Sequence, residues 1–170
     1  MRRSLDLLYD SAAWLAALAM VGVLAMVLAS VLGRLLHFNV PGTDAYAGYC
    51  MAAAGFLALA HTLKKNEHIR VTLVIGRLRG GARRGLEIWA LSAAVLLAGL
   101  FAWFSVRLAW LSHVYNDIST GNDATPLWIP QLSMAVGTVV LFIAFVDEWV
   151  LELRGLRGHA LESEEALHNE

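Results

Sequence analysis

The chain has 170 residues, of which 58% are hydrophobic and 16% are charged, and its net charge is −1. A soluble domain of this length would carry about 25% charged residues, so this composition is unusual for one. The near-neutral charge excludes the global basic field that attracts nucleic acid. With a single cysteine, Cys50, the chain forms no intrachain disulfide, and we interpret this residue as a small buried apolar one.

Four stretches lack Asp, Glu, Lys and Arg, and each has 19 or more residues: 11–33, 45–63, 88–106 and 124–146. A helix of roughly 20 apolar residues crosses the ~30 Å hydrocarbon core. The runs are apolar on all sides, which excludes the alternating pattern of a membrane barrel. We therefore predict an all-α integral membrane protein, with one membrane domain over residues 1–157 and transmembrane helices at about 11–34, 44–64, 86–112 and 127–149.

The first run is too long for the apolar region of a signal peptide. It ends in Gly33-Arg34, with no small-x-small cleavage pattern before a polar domain. We therefore expect it to be retained as the first membrane helix.

The second loop, residues 64–87, contains seven of the Lys and Arg residues that lie outside the runs, whereas the first and third loops have one each. The N-terminus and the C-terminal tail have two each. Short basic segments stay on the cytoplasmic side, so both termini and the second loop are predicted to be cytoplasmic. Trp and Tyr residues near both ends of the runs agree with two membrane interfaces.

The second loop also shows an apolar stripe at helical spacing, formed by Val71, Val74, Ile75, Leu78 and Ala82. Arginines lie largely off this stripe, which predicts a short amphipathic interfacial helix at about 69–80 against anionic headgroups. Gly76 and the Gly80-Gly81 pair weaken that prediction. The alternative is an irregular solvated loop in which the spacing is incidental.

The third loop, from Ser112 to Pro126, is rich in Asn, Asp, Ser, Thr and Gly, which is typical of turns in a polar outer loop. Pro126 to Pro130 then opens the fourth helix, with Trp128 as an interfacial anchor. The tail, residues 158–170, is acidic and is either a short helix or disordered.

The runs contain no carboxylate, so an ion-coupled pathway within this chain alone is disfavoured, as is a small multidrug exporter. Arg34 and Arg107 either snorkel to water at the outer side or contact a partner. His61 is either a hydrogen-bonded structural residue or a ligand or proton relay.

A haem or quinone anchor of a respiratory complex is the competing class, because such anchors pair histidines at one depth. Here His61 and His68 are on the inner side, while His37 and His113 lie in or beside outer loops, so the pairing is poor. No spacing motif gathers catalytic groups, and we predict no enzyme activity and no cofactor or metal site.

Several short motifs occur in order between about Leu5 and Trp149. Gly33-Arg34 closes the first helix, and Pro41-Gly42 with Asp44 opens the second. The most specific segment is the basic pair, two polar residues and His-Ile-x-Val of residues 64–71. Ser119-Thr120-Gly121 and the Pro126–Pro130 segment follow. In these ordered motifs the chain resembles the small membrane subunit of tripartite ATP-independent periplasmic (TRAP) transporters, although Thr72 and the single acidic residue opening the second helix depart from the family.

This resemblance implies a bacterial inner-membrane subunit that serves as a scaffold for the large transport subunit and helps to dock a periplasmic binding protein. It implies sodium-coupled uptake of an organic acid, whose identity lies in the other chains. Glu67-His68 is expected to order the junction into the interfacial helix. The predicted partner-interface residues are Arg34, Asp44, His68, Asp117 and Trp128.

Overall fold

The structure is a computed structural model that describes residues 2–38, 40–64, 81–121 and 123–154. Helix α1 spans Arg2–Leu35, α2 spans Thr43–Lys64, α3 spans Gly81–Val114 and α4 spans Trp128–Leu153. All four are long and apolar enough to cross a membrane. The predicted all-α membrane fold with four spanning helices is therefore confirmed, while the interfacial helix at 69–80 and the tail at 158–170 lie outside the described residues.

Two of the helices begin well before their charge-free runs. Helix α1 begins at Arg2 rather than near residue 11, and α3 begins at Gly81 rather than near residue 86. In α1 the added turns carry Leu5, Leu8 and Tyr9, at a spacing that keeps them on one helical face. These residues join a core cluster with Ala60, Val140 and Ala144. The first charge therefore marks the limit of the apolar run and not the end of the helix.

The helices pack in the order α1, α2, α4, α3. The loops 36–42 and 115–127 lie at one end of the bundle, called here the two-loop end, and Arg2, Lys64, Gly81 and Leu153 lie at the other, the terminal end. The outer pairs α1–α2 and α3–α4 are antiparallel, and the central pair α2–α4 is parallel. Helix α1 has a few contacts with α4, in the core cluster near the terminal end.

Glycines allow the closest approaches between the helices. A Cβ at Gly137 of α4 would lie 2.5 Å from the Phe56 carbonyl oxygen of α2. One at Gly99 would lie 3.1 Å from the Phe142 ring, and one at Gly22 would lie 3.0 Å from Cys50 Sγ. Lipid tails are as apolar as Leu, so the hydrophobic effect does not drive helices together inside a membrane. Helices there associate instead through close packing of this kind.

Polar contacts tie the helices near the terminal end. The Trp149 indole N–H donates to Ser92 Oγ at 2.9 Å, and Arg84 donates to the Leu153 carbonyl at 3.2 Å. His61 Nδ1 lies 3.6 Å from Asp10 Oδ1. His61 therefore lies between α1 and α2 beside a carboxylate, and its buried Nδ1 has no hydrogen-bond partner among the described residues.

Candidate partner-binding surface at the two-loop end

Helices α1 and α3 end at the two-loop end in the same way. His37 and Asn116 adopt left-handed backbone conformations, with φ of 58° and 52°. The next N–H in each case donates back five residues, from Phe38 to the Gly33 carbonyl and from Asp117 to that of Ser112, both at 3.0 Å. This is the hydrogen bond of a Schellman motif, which satisfies helix-end carbonyls and reverses the chain. Both loops are therefore directed back toward the helix that follows.

The loop 115–127 is braced by its own backbone. The Ser119 N–H donates to the Thr125 carbonyl at 2.8 Å, and the Leu127 N–H donates to the Asp117 carbonyl at 2.9 Å. Ile118 and Pro126 form an isolated antiparallel bridge between these two bonds. The turn-forming residues of the sequence thus produce an ordered narrow loop.

Asp123 connects this loop to α2. Its carboxylate accepts hydrogen bonds from the Ser119 hydroxyl at 2.8 Å and from the Tyr49 hydroxyl at 3.0 Å. A hydrogen bond from Thr125 has the largest effect on the pKa of Asp123 and lowers it, while desolvation opposes this; with further hydrogen bonds from Ser119 and Tyr49, the pKa falls from 3.8 to about 2. The Thr125 and Tyr46 hydroxyls form a further hydrogen bond between the loop and α2, at 3.2 Å.

The two loops also pack directly on each other. Gly42 has a φ of 81°, a conformation that favours glycine, and a Cβ there would lie 2.9 Å from Asp123 Cβ. Asp123 therefore contacts the short loop as well as the long one. The two loops and the first turns of α2 form one continuous surface, on which apolar side chains such as Phe38 and Ile118 are exposed beside the polar ones.

Arg34 and Asp44, two of the predicted interface residues, line a cavity of about 290 Å³ on this surface. Both are exposed. Arg34 lies in the last turn of α1 and Asp44 in the first turn of α2, where each charge complements the helix dipole. No ion pair joins them within the described ranges. Both charges are therefore available to a partner.

Asp117 and Trp128 lie on the α3–α4 side of the same end. Asp117 is exposed and holds the loop through its backbone, while the Trp128 ring lies edge-on to His113, with ring centroids 5.1 Å apart. The structure thus places Arg34, Asp44, Asp117 and Trp128 at one end of the bundle. His68 lies outside the described residues. The role of all five as partner contacts stays a prediction.

Sequence reasoning did not single out the Asp123–Tyr49 pair. The loop composition predicted a turn, and Tyr49 was expected only as an aromatic residue near the interface. The two residues are 74 positions apart, so no local spacing indicates their contact. The one local signal for a hydrogen-bonding role of Asp123 was its position beside the Ser and Gly residues of a turn.

The arrangement is one of exposed charges and hydroxyls on a braced surface, which is suited to binding another macromolecule. No group of three or more His, Cys, Asp and Glu side chains that could hold a metal occurs among the described residues. The fold defines the class as a polytopic helical membrane protein.

A family match gives the particular assignment. Residues 23–155 match the family described as tripartite ATP-independent periplasmic transporters, DctQ component, and the chain belongs to this family. A comparison with individually curated proteins found no match. The resemblance to the small TRAP membrane subunit is confirmed.

Membership of this family has several consequences. The family is a transporter component rather than an enzyme family, and it implies partnership with a large membrane subunit and a binding protein. It indicates a multi-pass inner-membrane protein, in agreement with the four apolar helices. The haem or quinone anchor gains no support.

Proposed function

We propose that the chain is the fixed scaffold of a sodium-coupled TRAP transporter for organic acids and that its two-loop end docks the periplasmic binding protein. The large membrane subunit moves the substrate, and this chain supplies the surface against which that subunit moves. The observation that carries the proposal is the braced two-loop surface, which exposes Arg34 and Asp44 above spans that contain no central carboxylate.

The interior of the bundle supports a scaffold rather than a pathway. Its buried positions are mainly small and aliphatic residues, among them Ala54, Ala60, Ala135, Val140 and Ala144. Transport sites in secondary transporters are formed near the midplane by broken helices or intramembrane carboxylates. Each of the four helices here runs unbroken across its span.

The braced loops support docking. A surface that is already ordered before binding loses little conformational entropy when its partner arrives. The Asp123 hydrogen bonds and the contact with Gly42 order both loops together. Exposed charges of both signs also orient an approaching partner and raise its association rate.

The distribution of basic residues supports the orientation. Residues 64–87 are strongly basic and follow α2 at the terminal end, so the terminal end is cytoplasmic in this proposal. The two-loop end then faces the periplasm, where the binding protein is found. Basic residues of the second loop are then positioned to meet anionic headgroups.

Reconstitution tests the proposal. Liposomes containing this chain and the large subunit encoded with it, supplied with the binding protein and a radiolabelled organic acid, should accumulate substrate under an inward sodium gradient. Replacement of sodium by potassium should abolish uptake, as should omission of this chain. Uptake by this chain alone, or uptake that is unchanged without it, would overturn the proposal.

A further inference from the structure

Helix α3 has one face that no other described helix covers. Its buried positions, which meet α4, are Ala98, Ala102, Ser105, Ala109 and Ser112. At 3.6 residues per turn the opposite face carries Leu96, Leu100, Trp103, Arg107, Trp110 and Val114, all of them exposed. These six residues are called the outward face of α3.

The depth of this face follows from two tryptophans of α3. Trp89 and Trp110 are exposed and 21 residues apart, which corresponds to about 31 Å along the helix axis. That length matches the ~30 Å hydrocarbon core, with one Trp at each interface. Trp103 is seven residues from Trp110, or about 10 Å inside the hydrocarbon, and Arg107 is one turn closer to the interface.

Trp103 is a polar donor at a depth where lipid supplies no acceptor, and Arg107 lies on the same face one turn closer to the interface. Trp103 is 69% exposed, and neither side chain makes a hydrogen bond to any residue that the structure describes. A long Arg side chain can reach the headgroups, but the rigid indole of Trp103 is too short to do so. An indole N–H away from water usually has an acceptor, and an acyl chain offers none.

The exposed side of α1 differs in this respect. Between Trp14 and Arg34, which are exposed at its two ends, its large exposed residues are Leu, Met and Val without a polar side-chain atom. That surface is fully compatible with lipid. The two edges of the row α1–α2–α4–α3 are therefore chemically distinct, and only the α3 edge needs a partner with hydrogen-bond acceptors.

We infer that the outward face of α3 binds a transmembrane helix of the large membrane subunit. That helix presents a carboxylate or carbonyl oxygen at the depth of Trp103 and Arg107. The inference rests on the proposed function for the existence of a large subunit and adds which surface of this chain that subunit covers. The exposed face of α1 is left to lipid.

Site-specific photo-cross-linking in the intact complex tests the assignment. Benzoylphenylalanine is placed at position 100 instead of Leu100, or at position 24 of α1 instead of Leu24 as the matched control. The tagged chain is purified with the large subunit before and after irradiation. A cross-link to the large subunit from position 100 and none from position 24 is expected.

The outcomes separate the two proposals. If the large subunit co-purifies but cross-links only from position 24, or from neither position, the α3 assignment is wrong and the proposed function stands. If no large subunit co-purifies, the proposed function fails and this assignment fails with it.

A conservative substitution isolates the hydrogen bond. Trp103→Phe removes the N–H but keeps an aromatic ring, and it should lower the retained large subunit by about threefold, a typical effect for one hydrogen bond in a membrane. Trp89→Phe is the matched control, because its N–H lies at the interface where water replaces the bond. Equal retention in the two variants would overturn the inferred contact.

Discussion

At the residue scale, Asp123 joins both loops and α2 at the two-loop end. One carboxylate holds Ser119 of its own loop and Tyr49 of α2, and it packs against Gly42 of the other loop. A charged acceptor strengthens such hydrogen bonds relative to neutral ones. The ionisation of this one side chain therefore adds to the backbone hydrogen bonds that order the proposed docking surface.

The first prediction concerns pH. The folded-state pKa of Asp123, about 2, lies below its ordinary value of 3.8, so its contribution to stability is present above pH ~3.8 and is lost as the pH falls toward 2. Hydrogen exchange of residues 115–127 in detergent should accelerate over this interval once corrected for intrinsic rates. Asp123→Asn should be less protected at neutral pH and should lose the change.

Asp117→Asn is the matched control, since Asp117 holds the same loop through its backbone and its side chain is exposed. This variant should keep the acid-dependent change of the wild type. The same pH profile in Asp123→Asn and in the wild type would show that another group controls the loop.

The second prediction concerns the exposed charges. Arg34→Glu or Asp44→Lys should weaken binding of the binding protein about tenfold or more if each charge meets an opposite one, because charge reversal replaces attraction by repulsion. Surface plasmon resonance on the reconstituted membrane complex measures this affinity. Co-purification of the large subunit should not change.

Arg154→Glu is the control for this experiment, because Arg154 is exposed at the terminal end. It should leave the affinity for the binding protein unchanged. If Arg34→Glu also leaves affinity and uptake unchanged, the docking role of this residue is excluded.

Most of the charged residues at the two-loop end could be identified from the sequence, but their contacts could not. Arg34 and Asp44 stood out as charges at the ends of apolar runs, and these positions depend only on local hydropathy. The Asp123–Tyr49 hydrogen bond depends on how α2 packs beside α4, which the charge pattern does not encode. Residues such as His37 and Asn116 end their helices through backbone conformations that were also not anticipated.

At the element scale, the existence and number of the helices followed from length and hydropathy. Their order in the bundle did not, because apolar faces of similar composition do not identify neighbours. The order is set by close contacts such as Gly137 with Phe56, which join the parallel central pair. Glycines in these helices differ in the same way, since Gly22 faces Cys50 whereas Gly55 has open space around it.

The third prediction follows from this difference. Gly137→Ala places a Cβ 2.5 Å from a backbone oxygen that has little room to move, and it should destabilise the protein by about 1–3 kcal/mol. Gly55→Ala meets nothing within 4 Å and should be neutral or slightly stabilising. Thermal unfolding in one detergent compares the two, and equal midpoints would contradict the close α2–α4 contact.

At the scale of the whole molecule, the helices form a row with α1 and α3 at its edges. A closed square bundle would place α1 beside α3, whereas the close packing here is between successive members of the row. An open arrangement leaves much apolar surface on both edges. In a membrane this surface is available to lipid on one side and to another subunit on the other.

The fourth prediction tests whether the four helices form an open row, with α1 far from α3. In a variant with Cys50→Ser, spin labels at positions 24 and 106 should lie two or more interaxial spacings of ~8–10 Å apart. Labels at 136 and 106, on the packed pair α3–α4, should lie about one spacing apart. Pulsed electron paramagnetic resonance measures both pairs, and similar distances would indicate a closed bundle.

The parallel contact between α2 and α4 has a consequence for biogenesis. Each antiparallel pair, α1 with α2 and α3 with α4, is continuous in sequence and has its own glycine contact, at Gly22 and at Gly99. A ribosome therefore delivers two helical hairpins in succession, and each can close as soon as its second helix enters the bilayer. Gly137 emerges with the last helix, so the two hairpins can unite only after α4 has entered the bilayer.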